Sequence, residues 1–262
     1  MKHTARSWLL NAGVYVSRYR HEDKVRALVR AMRPRHDQGA LVRIGAEADG
    51  GYLVPDELQG IEAVFSPGVD DKITFEIAMA ERGARSHLLD ASIDAVPPGL
   101  TDFTFDRRYL GPRDEGDHIT LGTWFRDHAS LADQNDYLLQ MDIEGAEYAV
   151  LQSTPAEILR KFRIIIVEFH HFHELFHPIV YETVSDAVYN LLSLFEVAHI
   201  HPNNGGYCIG RGSLKIPSLI EVTFVRRDWL REAGSQPLFP HALDRKCVSD
   251  RPELPLPRCW YS

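Results

Sequence analysis

Short apolar runs separated by stretches of helical period recur along this chain, and they leave few architectures open. RIIIVEF (163–169) is apolar at almost every position, as are the cores of IEAVF (61–65), SHLLD (86–90) and DYLLQMD (136–142). A strand apolar on both faces must be covered on both faces, which is the condition of a mostly parallel sheet. Helical patterns through Phe75–Arg82, Tyr148–Leu151 and Tyr181–Leu194 lie between these runs and supply the covering layers. The expectation is an α/β fold with a doubly wound, mostly parallel sheet. ITLGTWFRD (119–127) reads as its third strand, and FEVAHIH (195–201) and LIEVTFV (219–225) as its last two.

The ends differ from this middle. Val25, Leu28, Val29 and Met32 recur at helical spacing and Pro34 stops the pattern, predicting a helix over Arg18–Met32. RIGAEADGGYLVPDEL then concentrates turn residues in a hairpin or tight loop, whose Asp49–Tyr52 run is able to reach a ligand through its backbone. Beyond Trp229 the chain is rich in proline (237, 240, 252, 255, 257) without period. The expected division is a helical cap at 1–40, a main domain at 41–232 and an irregular tail at 233–262 packed on it. The cap and tail are each suited to a lid or a homodimer interface.

Charge and cysteine content narrow the functions. Lys and Arg number 29 against 37 Asp and Glu, a net charge of −8, which disfavours a nucleic-acid binder. Three cysteines without a CxxC pair indicate neither a disulfide scaffold nor a structural zinc site, and fit a reducing compartment. The N-terminal stretch is broken by Asn11 and Gly13, unlike a signal peptide, and no apolar run reaches the ~20 residues of a membrane span. A cytoplasmic enzyme or binding domain is expected, and the excess of Arg over Lys hints at a bacterial source.

In an open α/β sheet ligands bind beyond the carboxyl ends of the strands. After the first run comes SPGVDDKITFE, where Ser66, Gly68, Asp70 and Glu76 are candidate cofactor contacts. This is not GxGxxG, and Asp70 with Asp71 would repel a pyrophosphate, so a cationic or neutral ligand is expected. Asp90 ends the second run, where an acid accepts hydrogen bonds from a ribose or caps the next turn. Asp117 and His118 are candidates to lie over an adenine. Asp142 and Glu144 follow a buried strand directly, a costly placement unless they bind something.

MDIEGAEYAVL resembles the D-x-E-G-A-E signature of FkbM-like S-adenosylmethionine-dependent methyltransferases. The similarity extends from about Arg43 to Phe224, through VFSPGVDDKITFE, HLLD, RIIIVEFHHFH and LIEVTF, and departs from the commoner pattern at Ser66–Gly68, where a G-x-x-G character has thinned. The resemblance implies a Rossmann-like class I methyltransferase fold, with seven strands and an antiparallel last hairpin, and S-adenosylmethionine as cofactor. It also implies a hydroxyl acceptor on a sugar, an oligosaccharide or a glycosylated metabolite, such as a bacterial polysaccharide precursor.

A sugar hydroxyl needs a general base or a metal to act as a nucleophile at neutral pH. VEFHHFHELFHP presents His170, His171, His173 and His177 after Glu168. His170 is the favoured base, with Glu144 and Asp142 as further catalytic candidates. Asp142, Glu168 and His201 are the expected ligands of a divalent metal, Mg2+ or a softer ion, with Asn203 close to them. Two alternatives carry other functions: a metal-dependent hydrolase centred on Asp142, Glu168, His170 and His201, and a binding protein that has lost turnover.

Overall fold

Residues that are apolar without interruption become the centre of one sheet. The computed structural model describes residues 8–9, 11–12, 21–34, 40–132, 134–229 and 238–262. Helix α1 (Glu22–Ala31) buries Val25, Leu28 and Val29, and the stretch 18–20 of the expected helix lies outside the described residues. Strands β1 (Leu41–Gly45) and β2 (Gly51–Pro55) form the expected hairpin. There follow β3 (Ile61–Pro67), α2 (Thr74–Ala80), β4 (Arg85–Leu89), β5 (Phe103–Asp106), β6 (Tyr109–Leu110), β7 (His118–Ile119), α3 (Leu121–His128) and β8 (Asp136–Met141). Then come α4 (Glu147–Ser153), α5 (Ala156–Leu159), β9 (Phe162–Phe169), α6 (Pro178–Leu194), β10 (Phe195–Pro202), β11 (Cys208–Arg211), β12 (Leu214–Pro217) and β13 (Ile220–Arg226).

The central sheet has seven strands in the order β5-β4-β3-β8-β9-β13-β10. Every neighbouring pair from β5 to β9 is parallel, and β13 runs antiparallel to both β9 and β10. This is the doubly wound, mostly parallel α/β sheet with an antiparallel last hairpin. All eight residues of β9 are buried, as expected for a central strand covered on both faces. The one cation in it, Arg163, sits at the amino end, paired with Asp136 at 2.8 Å and bonded to the carbonyls of Glu57 and Gln59. Its guanidinium also lies 3.6 Å from the centre of the Trp229 ring. The base of the sheet is thus closed by a paired and hydrogen-bonded arginine, and the opposite edge is left for ligands.

The third strand corrects the sequence expectation. ITLGTWFRD is not a strand: Leu121, Trp124 and Phe125 fall at helical spacing and are the buried face of α3, capped by Thr120, whose hydroxyl accepts from the Thr123 amide at 3.2 Å. The third strand is β5, drawn from the preceding polar stretch. It is an edge strand with an exposed Phe103, so it carries only part of the apolar signal of a central one. Asp117 accordingly precedes, and His118 opens, the short β7, which pairs with β6 outside the main sheet.

Among the described residues, no helix is long and apolar enough to cross a membrane. The described part of the tail is irregular and ends in a single 3-10 turn, Arg258–Trp260, with Trp260 fully buried against Phe172. Residues 230–237 lie outside the described set.

Candidate active site

The strand order reverses direction at β3, and there the carboxyl ends of β3, β4 and β8 open a cavity of about 690 Å3. Its walls include Gly68, Asp70, Glu76, Asp90, His118, Asp142 and Glu144. Of the eight residues expected to touch a cofactor, six therefore line one cavity. Ser66 lies beneath it, hydrogen-bonded to Glu76, and Asp117 is exposed and not on the wall.

Gly68 makes this geometry possible. Its φ is +81°, and a Cβ there would stand 1.5 Å from the Asp142 carbonyl oxygen. The loops after β3 and β8 thus touch through backbone, joined also by the Asp142 amide donating to the Pro67 carbonyl at 3.3 Å. Asp90 is 6% exposed and fills the turn-capping role of the two weighed for it. It accepts from the Asp70 amide at 3.0 Å and from the Ser92 amide and hydroxyl at 2.7 and 2.6 Å, while facing the cavity. Oδ1 takes both Ser92 donors, so Oδ2, with one bond, keeps lone-pair capacity for a ligand hydroxyl. Tyr109 faces the cavity beside His118, their rings 5.6 Å apart, a pair that the sequence reading missed in part because Tyr109 lay in a stretch read as loop.

Beneath the cavity runs a polar chain. Ser66 Oγ lies against Glu76 Oε1 and 2.6 Å from Gln140 Oε1, and Gln140 Nε2 donates to the Tyr52 hydroxyl at 3.1 Å. A serine hydroxyl has one proton for two acceptors, so a protonated Glu76 completes the chain. Burial, outweighing the Ser66 bond, raises the Glu76 carboxyl in that direction.

The acidic loop after β8 is organised by a residue the sequence reading passed over. Glu147, fully buried, accepts from the amides of Ile143 and Gly145 at 3.2 and 3.0 Å and meets His170 Nδ1 at 3.0 Å. Glu144 and Gly145 stand at positive φ, 55° and 105°, in the turn whose Ile143 and Gly145 amides reach that carboxylate. His170 Nε2 then points to Glu144 Oε2 at 3.4 Å and Asp142 Oδ1 at 3.8 Å. Burial pulls the imidazole down, but the Glu147 bond and the charges of Glu147, Asp142 and Glu144 prevail and hold its pKa above the usual value. Burial lifts Asp142 to about 7, His170 opposing and Glu144 and Glu147 reinforcing. Glu144 is 86% exposed at its side chain and stands at the rim of the cavity.

The expected metal ligands are not brought together. Asp142 groups with Glu147 and His170; Glu168 with Asp49 and Glu221; His201 with Glu221 and Cys247. The single centre required by the hydrolase alternative is therefore not assembled. Glu168, 3% exposed, accepts from Asn203 Nδ2 at 2.9 Å, and burial together with Asp142, Glu221 and Asp49 raises its pKa well above the carboxylate range. His173 turns away to the Tyr207 hydroxyl at 3.2 Å.

No curated protein matches the sequence. The model of the methyltransferase FkbM domain matches residues 83–191, from just before β4 into α6, a span that holds Asp90, the DIEGAE loop and His170 but not the Gly68 loop. With the strand order and the cavity at its reversal point, residues 83–191 are thus similar to a methyltransferase FkbM domain.

Proposed function

We propose that the protein is an S-adenosylmethionine-dependent O-methyltransferase acting on a hydroxyl of a sugar, an oligosaccharide or a glycosylated metabolite. The observation that carries this reading is the cavity at the β3 end, with a glycine where backbone must come close, an aligned acid at Asp90 and aromatic rings at Tyr109 and His118. These fit a nucleoside: Asp90 receives the ribose hydroxyls and Tyr109 with His118 face the base. The acidic wall of Asp70, Asp142 and Glu144 suits a cation, and when bound the sulfonium supplies an electrophilic methyl group. His170 Nε2 takes the proton of the acceptor hydroxyl, and Glu147 fixes its tautomer and aim, as a carboxylate does for a general-base imidazole. The hairpin turn at Asp49 and Gly50, braced by the Lys72–Asp49 ion pair of 2.7 Å, forms the polar wall nearest the acceptor.

Titration calorimetry with S-adenosylmethionine and S-adenosylhomocysteine tests the cofactor, and absence of heat for both ends the proposal. Transfer of labelled methyl to a panel of sugars and glycosylated metabolites then tests the acceptor. A metal-assisted version would draw on Asp142, Glu147 and His170, whose donor atoms lie within 4.8 Å of one another. Turnover that survives EDTA rules that version out.

A further inference from the structure

A row of ionisable side chains crosses the ligand edge of the sheet away from the cavity. Glu168, Glu221 and His201 are register partners on β9, β13 and β10, so they stand side by side on one face. Oxygens of Glu168, Glu221 and Asp49 come within 4.8 Å of one another, and Glu168 Oε2 is buried with no hydrogen-bond partner. Arg43, whose positive charge acts on Glu221, gives its hydrogen bonds to the carbonyls of Ala46 and Ala48 and none to the row. Carboxyls at this spacing are relieved by holding a proton, as at Glu168, or by a cation.

The tail brings a softer donor to this row. Asn204 bonds Val248 in both directions at 2.8 Å, and Asp244 meets His199 Nε2 at 2.8 Å, clamping the intervening chain. Cys247, held between, directs its thiol to Glu221 Oε1 at 3.1 Å. His201 turns Nδ1 toward Glu221 Oε2 at 3.2 Å and Nε2 toward Glu253 Oε1 at 3.4 Å. We infer that His201 Nδ1, Glu221 and Cys247 form a zinc site that ties the C-terminal tail to the last two strands, separate from the methyl-transfer cavity.

The donor set carries the choice of metal. Nitrogen, oxygen and sulfur from three side chains are a borderline-soft set of the kind zinc takes, with bonds of roughly 2.0–2.3 Å. Donors around such an ion stand roughly 3.3–3.6 Å apart, which small side-chain shifts reach from the present contacts. Glu253 occupies the position of the outer carboxylate that orients a metal-bound imidazole through its other nitrogen. Loading replaces the thiol proton and the Nδ1 proton. Glu221 is shared with the Asp49–Glu168 oxygens, so the ion also relieves the charge of the row.

The test uses the full chain freed of any affinity tag. Metal analysis of protein purified without chelator is expected to return about one zinc per chain, and Co2+ added to stripped protein to give a thiolate-to-cobalt charge-transfer band. That band is expected to vanish in Cys247→Ser, which leaves Cys208 and Cys259 as internal controls. Should that variant fail to fold, Glu253→Gln, altering an exposed residue, is expected to keep the band and weaken cobalt binding about 10-fold or more. No charge-transfer band in the wild type, or a band that survives Cys247→Ser, overturns the site. So does Mg2+ raising the melting temperature as much as zinc in wild type and Cys247→Ser alike, which would assign the cation to the oxygen donors alone.

Discussion

Glu147 and His170 stand twenty-three residues apart and share a hydrogen bond of 3.0 Å that joins the start of α4 to the end of β9. Replacing Glu147 by Gln removes the carboxylate that most raises the imidazole, leaving burial to lower it. In the wild type, activity is expected to rise with pH as His170 loses its proton, with a midpoint above the ordinary histidine value. In Glu147→Gln the midpoint shifts to lower pH and the maximal rate falls by about 10–100-fold, because the ring is no longer aimed. A rate profile that keeps its midpoint would remove Glu147 from this role.

Gly68 carries the tightest backbone approach in the site. Alanine there must take a left-handed backbone and displace the Asp142 carbonyl. A loss of about 3 kcal/mol in urea unfolding is expected. Where the variant still folds, nucleoside affinity drops, since both loops must part.

In the proposed function Asp90 and Tyr109 divide nucleoside recognition. Asp90→Ala is expected to weaken S-adenosylmethionine binding by about 10–100-fold, the worth of hydrogen bonds to a charged acceptor. Tyr109→Ala should cost less, about 2–10-fold, the range of a single ring contact. Calorimetry on both variants reads the order, and the reverse order would place the ribose elsewhere.

His87 makes the fold acid-sensitive. It is 4% exposed, stacks on His128 with ring centres 4.4 Å apart, and bonds Thr104 at 2.8 Å. Burial, with His128 adding, lowers its pKa to about 4. Between the ordinary value near 6.5 and that pH, the unfolded chain binds a proton that the folded one refuses. Stability is therefore complete above the unfolded pKa and declines as pH falls toward about 4, by at most about 3 kcal/mol. His87→Gln, unable to take the proton, should flatten that slope in denaturant melts at graded pH.

Much of the sheet was legible because central strands announce themselves. β3, β4, β8, β9, β10 and β13 lie within runs apolar enough to need cover on both faces. β5 escaped because, unlike β10 at the other edge, it buries no residue fully, and α3 imitated a strand because Leu121, Trp124 and Phe125 are dense enough to look continuous. The cavity residues at Gly68, Asp90 and Asp142 were legible for the same reason: strand ends are positions in the sequence as well as in space. Glu147 was not, since an acid in a first helical turn reads as solvated until the loop before it folds back over it. The pairing of His201 with Glu221 and Cys247 depends on hairpin register and on where an aperiodic tail settles, neither of which has a period to read.

The acidic rim also sets an asymmetry between the two ends of a turnover. The proposed donor carries one positive charge more than the thioether left after transfer, and the carboxylates of Asp70, Asp142 and Glu144 face that cavity. Loss of the methyl group therefore removes the Coulombic attraction that favoured entry, so the spent nucleoside is held less tightly than the fresh one. A wall that reads as a binding device thus also promotes product departure, and resistance to product inhibition at low ionic strength is its kinetic signature.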